Sequence, residues 1–133
     1  MQESLRSGAK IAVIGGGLIG TSWAALFLSF GYDVSLFEPN PDLRSSLVDK
    51  LRNPMAQVAE LFPGLPAAGR LDLPATLEDT VRQAAWVQEN APERTLLKRS
   101  IYAVVEDVAP AGVTVASSTS SLVWSDLSAG MAD

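Results

Sequence analysis

Residues 10–38 read KIAVIGGGLIGTSWAALFLSFGYDVSLFE, three segments of different hydrophobic period in immediate succession. Lys10–Ile14 is a short apolar run closed by glycine, the pattern of a strand buried on both faces. Leu18–Phe30 carries Ile19, Trp23, Leu26, Phe27 and Phe30 at three- and four-residue spacing, which predicts a helix with that stripe toward the core. Gly31 ends this helix, because a left-handed C-terminal cap costs glycine little. Asp33–Phe37 alternates and runs into Glu38-Pro39, a second strand stopped by proline. Strand, helix and strand within about thirty residues make a βαβ unit. Its right-handed crossover lays the second strand parallel to and beside the first.

The same alternation continues outward from this unit. Asp42–Arg52 reads as a helix that Asn53-Pro54 interrupts, with a second helical piece over Met55–Phe62. Pro63-Gly64 and Pro66 mark a turn, and Gly69–Leu73 predicts a short strand. Thr76, with Asp79 three positions on, is a variant capping box opening a helix to about Ala84. Ala85–Gln88 is the next short strand. Pro92 opens a helix over Glu93–Val108, and the β-branched Val113–Ala116 is a further strand. The chain has no internal repeat, low-complexity tract or linker. The expected architecture is α/β, a Rossmann-type doubly wound and mainly parallel sheet with helices on both faces, forming one domain over residues 1–133.

Composition narrows the chemistry. The 133 residues include 15 acidic and 10 basic side chains, for a formal net charge of -5. That excess argues against a nucleic-acid partner, whose phosphates require a basic patch. Cysteine and histidine are both absent, so disulfides, thiol nucleophiles, thiolate or imidazole metal sites and an imidazole base within this chain are excluded. The longest apolar run, Trp23–Leu28, is too short to cross a membrane, and Met1–Lys10 lacks the apolar stretch of a signal peptide. A cytoplasmic location is expected.

Gly15-Gly16-Gly17-Leu18-Ile19-Gly20 satisfies G-x-G-x-x-G between a strand and a helix, the context that makes the string a dinucleotide fingerprint. Gly15 permits the tight turn, Gly17 lets the backbone approach a pyrophosphate, and Gly20 lets the helix lie close on the sheet. The Leu18-Ile19 turn belongs to the helix N-terminus, whose free N–H groups and partial positive charge suit phosphate. Glu38, 18 positions after Gly20 at the end of the second strand, is placed to accept from the adenosine ribose hydroxyls. A 2′-phosphate would meet that negative charge, so NAD is favoured over NADP, with Arg44 the one nearby counter-signal. FAD uses the same geometry, and these forty residues alone do not separate NAD from FAD. A P-loop is excluded, because no G-K-[ST] follows the glycines.

Two later segments carry a resemblance. Trp86-Val-Gln-Glu-Asn-Ala-Pro-Glu-Arg94, followed by Lys98, resembles the fourth-strand region of the 3-hydroxyacyl-CoA dehydrogenase family. Val115-Ala-Ser-Ser-Thr-Ser-Ser-Leu122 resembles that family's S-N-T-S-S segment, with serine for asparagine at Ser118. The wording is most similar to the carnitine 3-dehydrogenase and lambda-crystallin (L-gulonate 3-dehydrogenase) branch. The resemblance implies NAD as cofactor, held by the glycine loop and Glu38, with Glu93 and Lys98 lining the same site. It implies that Ser120 contacts the substrate hydroxyl or keto oxygen, and that the reaction is oxidation of a 3-hydroxyl group on a small hydroxy acid or acyl-CoA. It also implies a longer two-domain parent, a homodimer whose acid-base histidine and helical domain lie beyond Asp133. The chain alone would then bind NAD weakly and turn over nothing. A non-catalytic NAD-binding or crystallin-like structural module, and an FAD-binding fragment of an oxidase, are the competing expectations.

Overall fold

The computed structural model describes residues 9–117; Ser118, Ser120 and the rest of the final segment lie outside them. Five strands, β1 (Lys10–Ile14), β2 (Asp33–Phe37), β3 (Leu71–Asp72), β4 (Trp86–Glu89) and β5 (Thr114–Ser117), form one sheet in the order β3-β2-β1-β4-β5. Every pairing is parallel. The order reverses at β1, so the topological switch point lies between β1 and β4.

The sheet is covered on both faces, as the alternation within β1 requires. Ile11 and Val13 point to one side, where they join Val34, Leu36, Ala24, Phe27, Leu47 and Leu51. Ala12 and Ile14 point to the other, joining Val87, Val81, Ile101, Tyr102 and Val105. The helices α1 (Leu18–Ser29) and α3 (Leu47–Leu61) cover the first face, and α4 (Leu77–Val81) and α5 (Thr95–Val108) cover the second. A short α2 (Pro41–Ser45) follows β2, capped by the Asn40 side chain, which accepts from the Asp42 and Leu43 N–H groups. No helix among the described residues is long and apolar enough to cross a membrane.

Three sequence expectations need correction. The core face of α1 is Gly20, Thr21, Ala24, Ala25, Phe27 and Leu28, not the stripe through Ile19, Trp23 and Leu26. Ile19 is 56% exposed, and Trp23, Leu26 and Phe30 are only half-buried. This helix is largely apolar, so periodicity could not choose a face; the face that is buried carries the small Gly20, Ala24 and Ala25, which allow the helix to pack closely.

Second, the helical break falls at Ser46 rather than at Asn53-Pro54. The Ser46 hydroxyl donates back to the Leu43 carbonyl at the end of α2, whereas α3 runs unbroken through Pro54. Leu47, Leu51 and Met55 pack against the α1 cluster at four-residue spacing on both sides of the proline. Burial of that stripe outweighs a proline penalty of about 3 kcal/mol. Pro54→Ala is therefore expected to stabilise the protein by about 2 kcal/mol in urea unfolding. An unchanged or lower midpoint would show that the ring's packing, not its missing N–H, decides.

Third, α5 starts at Thr95, two residues later than expected, with Arg94 as N-cap. The Arg94 N–H donates to the Pro92 carbonyl at 2.7 Å, and its own backbone is extended, so Pro92–Arg94 is a turn and Glu93 stands ahead of the helix. Smaller shifts occur elsewhere. The strand ends move by one residue at β4 and β5, β3 is two residues long, and α4 ends at Val81. The Thr76 cap is as expected, its hydroxyl accepting from the Asp79 N–H at 3.1 Å.

Candidate functional site

The loop between β1 and α1 owes its shape to three different steric demands. Gly15 has φ +100°, a left-handed backbone that favours glycine, and a Cβ there would stand 2.7 Å from the Asn90 carbonyl oxygen. Gly20 has ordinary helical geometry, but a Cβ on it would lie 1.8 Å from the Gly15 carbonyl oxygen. Gly17 is the opposite case: nothing lies within 4 Å of the position its Cβ would take. It is the N-cap of α1 and supplies no side chain to satisfy the helix's first N–H groups. A bare, open helix N-terminus of this kind suits an anionic group such as a pyrophosphate.

Glu38 fastens this loop to the end of β2. Its Oε1 accepts from the Gly16 N–H at 2.8 Å and its Oε2 from the Asn40 N–H at 2.9 Å. Although nearly buried, it lies on the wall of a cleft of 830 Å³. The same wall includes Gly15, Gly17, Phe37, Asn90 and Leu97. Each carboxylate oxygen can accept more than one hydrogen bond, so the backbone contacts leave acceptor capacity for a ribose hydroxyl. Arg44 does not serve as a counter-charge here, because its guanidinium donates to the carbonyl of Leu73, the residue after β3. The arrangement suits an unphosphorylated adenosine ribose and disfavours a 2′-phosphate.

Leu18 and Ile19, inside the motif, are exposed at 84% and 56%, so their side chains contribute nothing to the core and their place on the first turn of α1 is what matters. Glu93 and Lys98 are brought together, with Lys98 Nζ 3.6 Å from Glu93 Oε1. Neither lies on the cleft wall among the described residues. Glu93 is partly exposed, whereas Lys98 is wholly buried, contrary to the usual solvated lysine on a helix.

The buried Lys98 ammonium is paired with a residue to which the sequence reading assigned no role. Glu89, the last residue of β4, is fully buried, and its Oε2 lies 3.1 Å from Lys98 Nζ. Its carboxylate also accepts from the Ala91 N–H at 2.6 Å, the Tyr102 hydroxyl at 2.7 Å and the Ser117 hydroxyl at 2.6 Å. Lys98 and Tyr102 reach it together because they are four apart on one face of α5. Burial is the main cause that pushes the Tyr102 phenol above its ordinary range. A hydrogen bond with Ser117 opposes this, while the bond to Glu89 and the charges of Glu89 and Glu93 act with burial. One signal was present in the sequence: a carboxylate directly after the expected strand Ala85–Gln88 must find partners when the strand is buried.

Comparison with known proteins follows the same lines. The sequence model of the family described as "3-hydroxyacyl-CoA dehydrogenase, NAD binding domain" matches residues 10–133. A Ruegeria pomeroyi protein named L-carnitine dehydrogenase/betainyl-CoA thioesterase is 39% identical over 120 residues, covering 90% of this chain and 25% of that protein. The L-carnitine dehydrogenase of Streptomyces griseus is 38% identical over 132 residues, covering 93% of this chain and 37% of that protein. Among solved structures, 5-formyl-3-hydroxy-2-methylpyridine 4-carboxylic acid 5-dehydrogenase, described as an NAD+-dependent dismutase, superimposes with a TM-score of 0.82 at 27% identity. That superposition covers 92% of this chain and 40% of the other. The chain spans between 25% and 39% of the length of the curated relatives it matches.

Proposed function

Because the chain belongs to the family of 3-hydroxyacyl-CoA dehydrogenase NAD-binding domains, we propose that it is the cofactor half of an enzyme that oxidises a secondary 3-hydroxyl to a ketone. The family decides the choice between NAD and FAD in favour of NAD. A small polar hydroxy acid of the carnitine type is the proposed substrate, supported by the relatives' names. The observation that carries the reading is the open Gly17 at the α1 N-terminus, beside a Glu38 carboxylate on the cleft wall.

In this reading Gly17, Leu18 and Ile19 receive the pyrophosphate on backbone N–H groups at the start of α1, Gly15 and Gly20 shape the turn that presents them, and Glu38 accepts from the adenosine ribose. Glu93, whose side chain is partly exposed, would serve the same cofactor from the β4 side, with the buried Lys98 acting through its pairing with Glu93 and not by contact. Bound there, NAD would supply the hydride acceptor. Ser120, outside the described residues, would donate its hydroxyl to the substrate oxygen and orient the carbon that gives up hydride. The 133 residues contain no imidazole to take the hydroxyl proton, so the isolated chain is expected to bind cofactor and to oxidise no carnitine. The reading includes a cytoplasmic, homodimeric parent acting on a small molecule, with neither nucleic acid nor membrane as partner; the acidic balance supports the former exclusion.

Parallel titrations with NADH and NADPH, followed by quenching of tryptophan fluorescence, test this directly. Saturable NADH binding is expected, with NADPH weaker. Glu38→Gln removes the charge while keeping the shape, and should weaken NADH about tenfold, the value of one charge-assisted hydrogen bond. Equal affinity for both cofactors, unaltered in the variant, would take Glu38 out of the site.

A further inference from the structure

We infer that Glu89 is a positioning residue for the nicotinamide half of the cofactor, one that the family resemblance does not assign. The inference rests on the NAD reading above. It starts from register. Ile14 of β1 pairs with Phe37 of β2 on one side and with Glu89 of β4 on the other, and Glu89 pairs with Ser117 of β5. These four residues form the last row of the sheet at its carboxyl edge, where ligands of open α/β sheets sit. Glu38, one residue past Phe37, occupies the β2 side of the switch point. A dinucleotide crossing that point has its adenosine at Glu38 and its other half over β4 and β5.

On that second side one carboxylate ties together every element that ends there. Glu89 holds the loop after β4 through the Ala91 N–H, α5 through Tyr102 and Lys98, and the end of β5 through Ser117. Through Lys98 it also reaches Glu93, whose side chain is 40% exposed, so the buried cluster has one member at the surface. Lys98 Nζ makes no well-angled hydrogen bond to either carboxylate, so position and charge, not a directional bond, hold it. A buried ion pair is poor value as a source of stability alone, since apolar residues of similar volume often do as well. Its location in the last row of the sheet, and not elsewhere in the core, is what points to the ligand.

The experiment compares two probes by calorimetric titration of the 133-residue chain. NADH engages both halves of the site, whereas ADP engages only the glycine loop and the Glu38 side. Glu89→Gln should weaken NADH at least tenfold and change ADP by less than twofold. A merely structural role would weaken both alike through the folded fraction, and that result overturns the inference, as does unchanged NADH affinity. If Glu89→Gln does not fold, the double variant Glu89→Gln with Lys98→Met removes both buried charges and is read against the same two outcomes. Failure of the unaltered chain to bind NADH would instead overturn the cofactor reading and this inference with it.

Discussion

Gly17→Ala is expected to leave the fold intact and remove NADH binding, whereas Gly20→Ala is expected to damage the fold itself. Gly17 has φ −74° and ψ −166°, a backbone any residue adopts, and its Cβ position is empty to 4 Å. An added methyl there costs the folded protein nothing, so the melting temperature should move by no more than about 2 °C. The same methyl stands where the pyrophosphate must approach the backbone. Losing charge-assisted contacts worth about 3 kcal/mol should weaken NADH about a hundredfold. At Gly20 the obstacle is the Gly15 carbonyl at 1.8 Å, a backbone atom that cannot rotate away. The start of α1 must shift off the sheet, at about 3 kcal/mol, the upper range for overpacking. Urea unfolding and calorimetric titration of both variants separate the two effects. NADH binding by Gly17→Ala as tight as in the unaltered chain would mean that the loop is a structural turn only.

The second large effect concerns Glu89 and is asymmetric. Glu89→Ala should cost about 4 kcal/mol, within the range for breaking a buried ion pair. It leaves the wholly buried Lys98 ammonium with Glu93, at 3.6 Å, as its remaining ion-pair partner among the described residues, and removes the acceptor to which the Ala91 N–H, Tyr102 and Ser117 donate. Lys98→Met should cost markedly less, about 1–2 kcal/mol, because the Glu89 carboxylate retains three donors and the methionine fills the space left by the lysine stem. Urea unfolding at constant m-value is the measurement. Equal losses, or a greater loss for the lysine variant, would mean that the Lys98 charge and not the carboxylate is the centre of this cluster.

Legibility in the sequence followed the range of the forces involved. The βαβ unit was readable because each signal in it is local: an apolar run, a glycine at a turn, a proline after a strand. All three of its elements agree with the structure to within one residue at each end. The face of α1 was not readable, since a largely apolar helix offers little contrast. The Pro54 error had the same origin: a local breaker was weighed without the packing of Leu47, Leu51 and Met55 on α1 that overrides it.

The candidate site divides along the same line. Sequence by itself determined the strand-glycine-helix order, the acidic residue at the end of β2, and the absence of any thiol or imidazole, because these depend on residue type and spacing along the chain. Only the tertiary structure decided that Glu38 holds the glycine loop by its Gly16 N–H, and that Arg44 is engaged by Leu73. It alone decided that Lys98 is buried against Glu89. Those partners stand 9 to 29 positions apart in sequence and meet because parallel strands bring their carboxyl ends to one edge. Burial then turns a charge that would be solvated on an isolated helix into one that must be paired.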